Sequence, residues 1–232
     1  MITRPTAPAI VLVHGAWADG SSWHKVLASL RESDIPATAA PIPLTSLSDD
    51  VAALDRAVDR VDGPVILVGH AYAGAVLGAT RHSRAKALVY VAALAPAERE
   101  TVADVFYRNS ADPAAPELAP DADGYIWLPE AAFAGAFAQD ASPDEQAVLA
   151  AVQRPISRRC IEEPVTTPRW KTLPSWYLRA EQDRMINPET QALMAERMGA
   201  RIRSHAVDHA PLITQPDVVT DLITEAYEHV FG

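Results

Sequence analysis

The sequence predicts an α/β fold, a mostly parallel sheet of about six strands with helices on both faces and an inserted helical cap. Three observations carry that prediction. Short, unbroken apolar runs recur along the chain and close on turn residues, the pattern of strands buried on both faces. Segments of helical period stand between them, and this alternation builds parallel sheets through right-handed crossovers. One stretch, residues 96–173, breaks the rhythm, is rich in Pro and Ala and offers no good strand.

The elements follow in order. "AIVLVHG" (9–15) is a buried strand closed by glycine. "SSWHKVLASLRES" places Trp23, Val26, Leu27 and Leu30 at i, i+3, i+4, i+7 behind a serine start signal, so it is a helix. "IPATAAPI" is a poorer strand whose prolines suit its ends. Ser46 to Asp49 can form a capping box, and Leu47, Val51, Leu54, Val58 and Val61 then repeat on one helical face. "PVILVGH" and "KALVYVAAL" (86–94) are further buried strands, with a helix between them that starts inside "VILVGHAYAGAVLG" (65–78). "SWYLRA" (175–180) and "ARIRSHAV" (200–207) are two later strands. The chain closes on a helix whose inner face is Val218, Val219, Leu222, Ile223, Ala226, Val230 and Phe231.

These elements divide the chain into a core, 1–95 with 174–232, and the cap, 96–173, within one structural domain. The cap aromatics Trp127, Phe133, Phe137 and Trp170 are candidates to close a substrate pocket over the sheet edge. For any one of them, packing inside the cap's own small core is the commoner fate.

Composition narrows the function classes. A chain of 232 residues suits a single α/β domain, and 49% hydrophobic with 22% charged residues marks it as globular rather than disordered. A formal net charge of −10 disfavours nucleic acid and anionic membrane surfaces, both of which are bound through excess Lys and Arg. The single cysteine, Cys160, cannot form an intramolecular disulfide, and "MITRPTAPAI" lacks the start of a secretory signal, so a reducing, cytoplasmic setting is expected. No apolar stretch approaches the ~20 residues that span a bilayer. The expected partner is a small-molecule substrate, with room for a homodimer.

In open parallel sheets, ligands sit beyond the carboxyl ends of the strands. Four loops there carry suggestive residues: His14-Gly15-Ala16-Trp17, Gly69-His70-Ala71-Tyr72-Ala73-Gly74, Glu181-Gln182-Asp183-Arg184 and Asp208-His209-Ala210-Pro211. With these four in register, the sequence resembles the α/β-hydrolase superfamily. That superfamily places its nucleophile in a G-x-S-x-G elbow, followed along the chain by an acid and then a histidine. "HGAWADGSSWHK" is similar to the oxyanion stretch of the compact methylesterase and hydroxynitrile lyase-like group.

The resemblance implies an elbow at residue 71, an acid at Asp183, a histidine at His209 and oxyanion donors from Tyr72 and from Ala16 or Trp17. Two departures lie in the elbow. Ala73 replaces a glycine that permits close helix packing, and Ala71 replaces the serine. A methyl group cannot form an acyl-enzyme, and losing the serine of a triad costs about 10⁶ in turnover. Cys160 lies in the cap, away from the strand ends, and is a poor substitute. No metal spacing surrounds His14 or His70, and the glycines of "GHAYAGAVLG" do not fit a dinucleotide fingerprint, so neither metal nor cofactor is expected.

Asp208 is read as a loop residue or a partner of His209, and His205, lying in a strand, is the weaker histidine. Three readings stay open. The first is an enzyme acting on a small, partly apolar carbonyl or ester compound through a His209–Asp183 general-base dyad, by non-covalent hydrolysis, lyase, isomerase or cofactor-free oxygenase chemistry. The others are a catalytically retired binder of a small molecule or protein, and a serine esterase inactivated by an engineered Ser-to-Ala change at position 71.

Overall fold

The structure is a computed structural model and describes residues 7–232. The reading of the first residues as lacking a secretory start falls, for 1–6, outside the described residues.

In chain order the strands are β1 (Ala9–Val13), β2 (Ala37–Ala40), β3 (Val65–His70), β4 (Ala85–Val91), β5 (Tyr125–Ile126), β6 (Ile156–Ser157), β7 (Ser175–Ala180) and β8 (Arg201–His205). Six of them form one sheet in the order β2-β1-β3-β4-β7-β8, with every pairing parallel. β1 and β3 are interior strands buried at every position, which is why they appear in the sequence as unbroken apolar runs. β8 closes one edge, where outward Arg201 and Arg203 put charge on strand groups that another chain would otherwise pair with.

The helices are α1 (His24–Glu32), α2 (Leu47–Asp59), α3 (Ala73–Ala79), α4 (Val102–Phe106), α5 (Glu130–Ala132), α6 (Pro143–Val152), α7 (Arg158–Glu162), α8 (Pro188–Arg197), α9 (Pro211–Thr214) and α10 (Pro216–Phe231). α1 packs against α10, and α2 packs against α3, so helices cover both faces of the sheet. α2 begins where Ser46 accepts the Asp49 amide at 3.0 Å. Its inward face carries Leu47, Asp50, Ala53, Leu54, Ala57 and Val58, while Val51 and Val61 are only half-buried.

The segment between β4 and β7 departs from expectation in one respect. It holds the antiparallel pair β5–β6, with Tyr125 opposite Ser157 and Ile126 opposite Ile156. Strands of two residues are too short to show a period in sequence, so the pairing was invisible there. Around it are four short helices, and α5 runs on into a π turn over Phe133–Phe137. Among the described residues no helix is long and apolar enough to cross a membrane.

Candidate active site

The centre of the site is the sharp turn from β3 into α3. Ala71 sits at its apex with φ of 49°, in the left-handed region that costs an L-residue with a Cβ roughly 1–2 kcal/mol. Three backbone bonds hold it there. Its N–H donates to Val91 O at 3.2 Å, and its carbonyl accepts from Leu94 N at 2.9 Å and Gly74 N at 3.2 Å.

Two glycines make the turn possible. A Cβ on Gly69 would come within 2.9 Å of Leu77 Cδ1, and one on Gly74 would collide with the Leu94 carbonyl oxygen. Close packing thus falls on Gly74, while Ala73 is accommodated with its methyl fully buried. The backbone keeps the strained geometry that presents an apical side chain, but that side chain is a methyl group.

Beyond the ends of β7 and β8, His209 and Asp183 meet. His209 Nδ1 donates to Asp183 Oδ2 at 2.8 Å, and both side chains are buried. Asp183 is tied down further. Oδ1 accepts the amides of Met185 at 2.7 Å and Ile186 at 2.8 Å, and Oδ2 accepts Gln191 Nε2 at 2.7 Å. With Nδ1 protonated, the neutral ring carries its lone pair on Nε2, which has no protein partner among the described residues. The ring of Phe137 stands edge-on to the imidazole, its centroid 5.2 Å away, and fixes the ring plane.

The donors expected from the first loop need one correction. The Trp17 N–H bonds Arg154 O at 3.1 Å and its indole N–H bonds Ile126 O at 2.9 Å, so Trp17 ties the loop to the cap and cannot serve as an oxyanion donor. The N–H groups of Ala16 and Tyr72 have no acceptor among the described residues, and both residues line the same cavity as Ala71 and His209.

That cavity offers about 60 Å³ to the centres of water-sized spheres. No Asp, Glu, Lys or Arg side chain lines it. Its cap-side wall is apolar, with Leu118, Ile126, Ile156 and Ile161 beside Phe106 and Tyr107, and Met185 and Ile186 close it from the β7 loop. The four aromatics expected in this wall are elsewhere. Trp127 is 52% exposed on the surface. Phe133 and Phe137 pack against each other as tilted rings 5.2 Å apart, and Phe137 meets His209 edge-on without lining the cavity. Trp170 donates to Pro96 O at 3.3 Å and lies beneath the Arg197 guanidinium. Phe133, Phe137 and Trp170 are taken up by packing, because a large ring gains most where it is buried against other rings or an arginine plane.

Other polar groups support the site from behind. Asp50, fully buried on α2, accepts the Tyr72 hydroxyl at 2.7 Å, the Leu44 amide at 2.7 Å and the Cys160 thiol at 3.5 Å. Burial pushes its carboxyl up to about 6, against the pull of those donors. Cys160 is itself buried beside this carboxylate, and burial raises its thiol, so it is held protonated and away from the cavity. His70 Nε2 donates to His209 O at 2.7 Å, leaving its buried Nδ1 without a partner. Burial, reinforced by His209, holds His70 well below the usual imidazole range. Asp208 accepts from Thr214 Oγ1 at 2.7 Å, Ala210 N at 3.1 Å and Asp140 N at 3.2 Å, so it fixes the turn that carries His209 without touching the ring.

Asp50 and Gln191 were missed in the sequence. Asp50 had a signal, since it lies three residues after Leu47 and four before Leu54, on an otherwise apolar face. Gln191 had none, because a glutamine in a helix is ordinarily a solvated residue.

Residues 10–222 match the Alpha/beta hydrolase family. A probable hydrolase from Phoma sp. is 26% identical over 244 residues, covering 95% of this chain and 98% of that protein. Among solved structures, a pyrethroid hydrolase from Sphingobium faniae superposes with a TM-score of 0.79 at 18% identity, covering 96% of this chain and 98% of that one. A methylesterase from Arabidopsis superposes with a TM-score of 0.79 at 14% identity, covering 96% of this chain and all (100%) of the other.

Proposed function

Because this chain belongs to the alpha/beta hydrolase family, we propose that it is a hydrolase-type enzyme that cleaves an uncharged, apolar ester without forming an acyl-enzyme, using a water activated by His209. One observation carries the reading. The Nε2 lone pair of an Asp183-bonded histidine and the methyl group of a strained elbow line one cavity that no charged side chain enters. A binding module gains nothing from a buried imidazole–carboxylate pair whose outer nitrogen is left free.

The steps balance with water as the only co-reactant. His209 Nε2 takes a proton from a water lying where a serine hydroxyl would otherwise stand, and the water oxygen bonds the ester carbonyl carbon. The carbonyl oxygen becomes an oxyanion that the N–H groups of Ala16 and Tyr72 stabilise, each such donor contributing about 3 kcal/mol. Asp183 holds the charged imidazole, which returns its proton to the departing alkoxide as the C–O bond breaks. The products are the acid and the alcohol. The apolar wall excludes bulk water and gives the substrate its binding energy, at about 0.8 kcal/mol per buried methylene.

His209→Ala tests the reading. Turnover of a small activated ester such as 4-nitrophenyl butyrate is expected to fall by about 10²–10⁴, with the far-ultraviolet circular dichroism unchanged. A variant that keeps the wild-type rate would remove the basis for the mechanism.

A further inference from the structure

The cavity shares part of its lining with a neighbouring groove. Phe106, Tyr107, Leu118 and Met185 line both, and the groove runs outward over Ala111, Ala115, Pro116 and Glu117. The four shared residues form an apolar collar between the two spaces. The collar is firmly placed on one side, because the Met185 amide is bonded to Asp183, the carboxylate that orients His209. On the other side Phe106 and Tyr107 pack edge to face at 4.9 Å, and Tyr107 is left 62% exposed along the route.

We propose that the outer groove is a subsite for a linear, uncharged, apolar tail of the substrate. The substrate class is then an ester with its carbonyl at the Ala71 end and a tail that threads the collar. This rests on the reading that the carbonyl lies beneath the N–H groups of Ala16 and Tyr72. Three features fix the tail's chemistry. The collar offers aromatic, aliphatic and thioether surface, and Met185 adapts to an unbranched chain because it has three rotatable bonds itself. The groove beyond is walled by small apolar residues, Ala111, Ala115 and Pro116, which leave room for a narrow chain. Its charged lining residue, Glu117, is exposed at the rim and repels an anionic tail end, so a free fatty carboxylate is disfavoured.

Unhydrolysable methyl ketones of increasing chain length, titrated calorimetrically into the protein, test the subsite separately from catalysis. The dissociation constant is expected to fall about fourfold per methylene, and to keep falling for members too long for the inner cavity. Ala115→Trp, which fills the outer groove alone, should weaken the longest ketones at least tenfold and leave the shortest within twofold. Ala111→Trp, on the same groove, guards against a local folding fault and should act alike.

A constant that stops falling at one short length in all three proteins overturns the proposal, as does the absence of ketone binding at any length. The hydrolytic reading fails on different evidence. Normal chain-length dependence in a protein that turns over no ester leaves the subsite standing and removes the mechanism.

Discussion

The two walls of the cavity are built on different physics. On the strand-end side, position is set by directional bonds. Asp183 accepts four of them, the apex at Ala71 is held by three, and His209 is fixed through its ring and its own carbonyl. On the cap side Leu118, Ile126, Ile156 and Ile161 present only apolar side chains to the cavity, and contacts of that kind have no preferred direction. A polar network fails steeply when one member is lost, because the remaining groups stay buried and unpaired. An apolar wall loses binding in proportion to the surface removed. Changes on the first wall should therefore alter the rate constant of the reaction, and changes on the second should alter affinity.

The largest expected effect comes from Asp183→Asn. The amide oxygen would keep the Met185 and Ile186 amides, which turns its NH₂ toward both His209 Nδ1 and the Gln191 amide. The imidazole then accepts at Nδ1 and carries its proton on Nε2, where a base is needed. A fall in kcat of about 10⁴ with KM little changed follows in steady-state kinetics. An unaltered kcat would break the contrast between the walls.

Next is Asp50→Asn, which separates stability from catalysis behind the same wall. A folded carboxyl raised from 3.8 to about 6 binds its proton more tightly than in the unfolded chain, so native stability falls as pH rises between those values and the full cost is present above 6. Asparagine keeps an acceptor for the Leu44 amide and carries no charge. Urea unfolding should therefore show the variant gaining about 2.5 kcal/mol on the wild type between pH 4 and pH 7.5. A difference independent of pH would show that this buried carboxylate is not under strain.

The smallest effect belongs to the cap. Leu118→Ala removes half-buried aliphatic surface, about 1 kcal/mol, which appears as a roughly fivefold rise in KM at constant kcat. A drop in kcat of similar size would mean that the cap also positions the reacting atoms.

The same division decides what could be read from the sequence. Central parallel strands are unbroken apolar runs, and the loops at their ends are fixed by chain order, so the sheet and the convergence of residues 71, 183 and 209 were legible without coordinates. The turn at Ala71 was legible from its flanking glycines although its apex carries only a methyl group. The cap was not. Its strands span two residues each, and which of its side chains face the cavity depends on how short helices stack, a three-dimensional matter that no period records. Trp127, Phe133, Phe137 and Trp170 drew attention and were assigned to the pocket, whereas its cap side is lined by Leu118, Ile126, Ile156 and Ile161 with Phe106 and Tyr107. Trp17 was misassigned because its spacing says nothing of the Arg154 carbonyl 3.1 Å from its N–H. Asp50 was readable in principle, as a carboxylate on an apolar helix face.

Hydrolysis without an acyl-enzyme requires that product form while the chain remains chemically unmodified. Intact mass spectrometry of the protein, quenched during turnover of an activated ester, measures this directly, with Ala71→Ser as the reference that restores a nucleophile at the strained apex. The expected result is product release with no added mass on the wild-type chain and an acyl adduct on Ala71→Ser. An acyl adduct on the wild-type chain that forms and decays at the rate of turnover would contradict it.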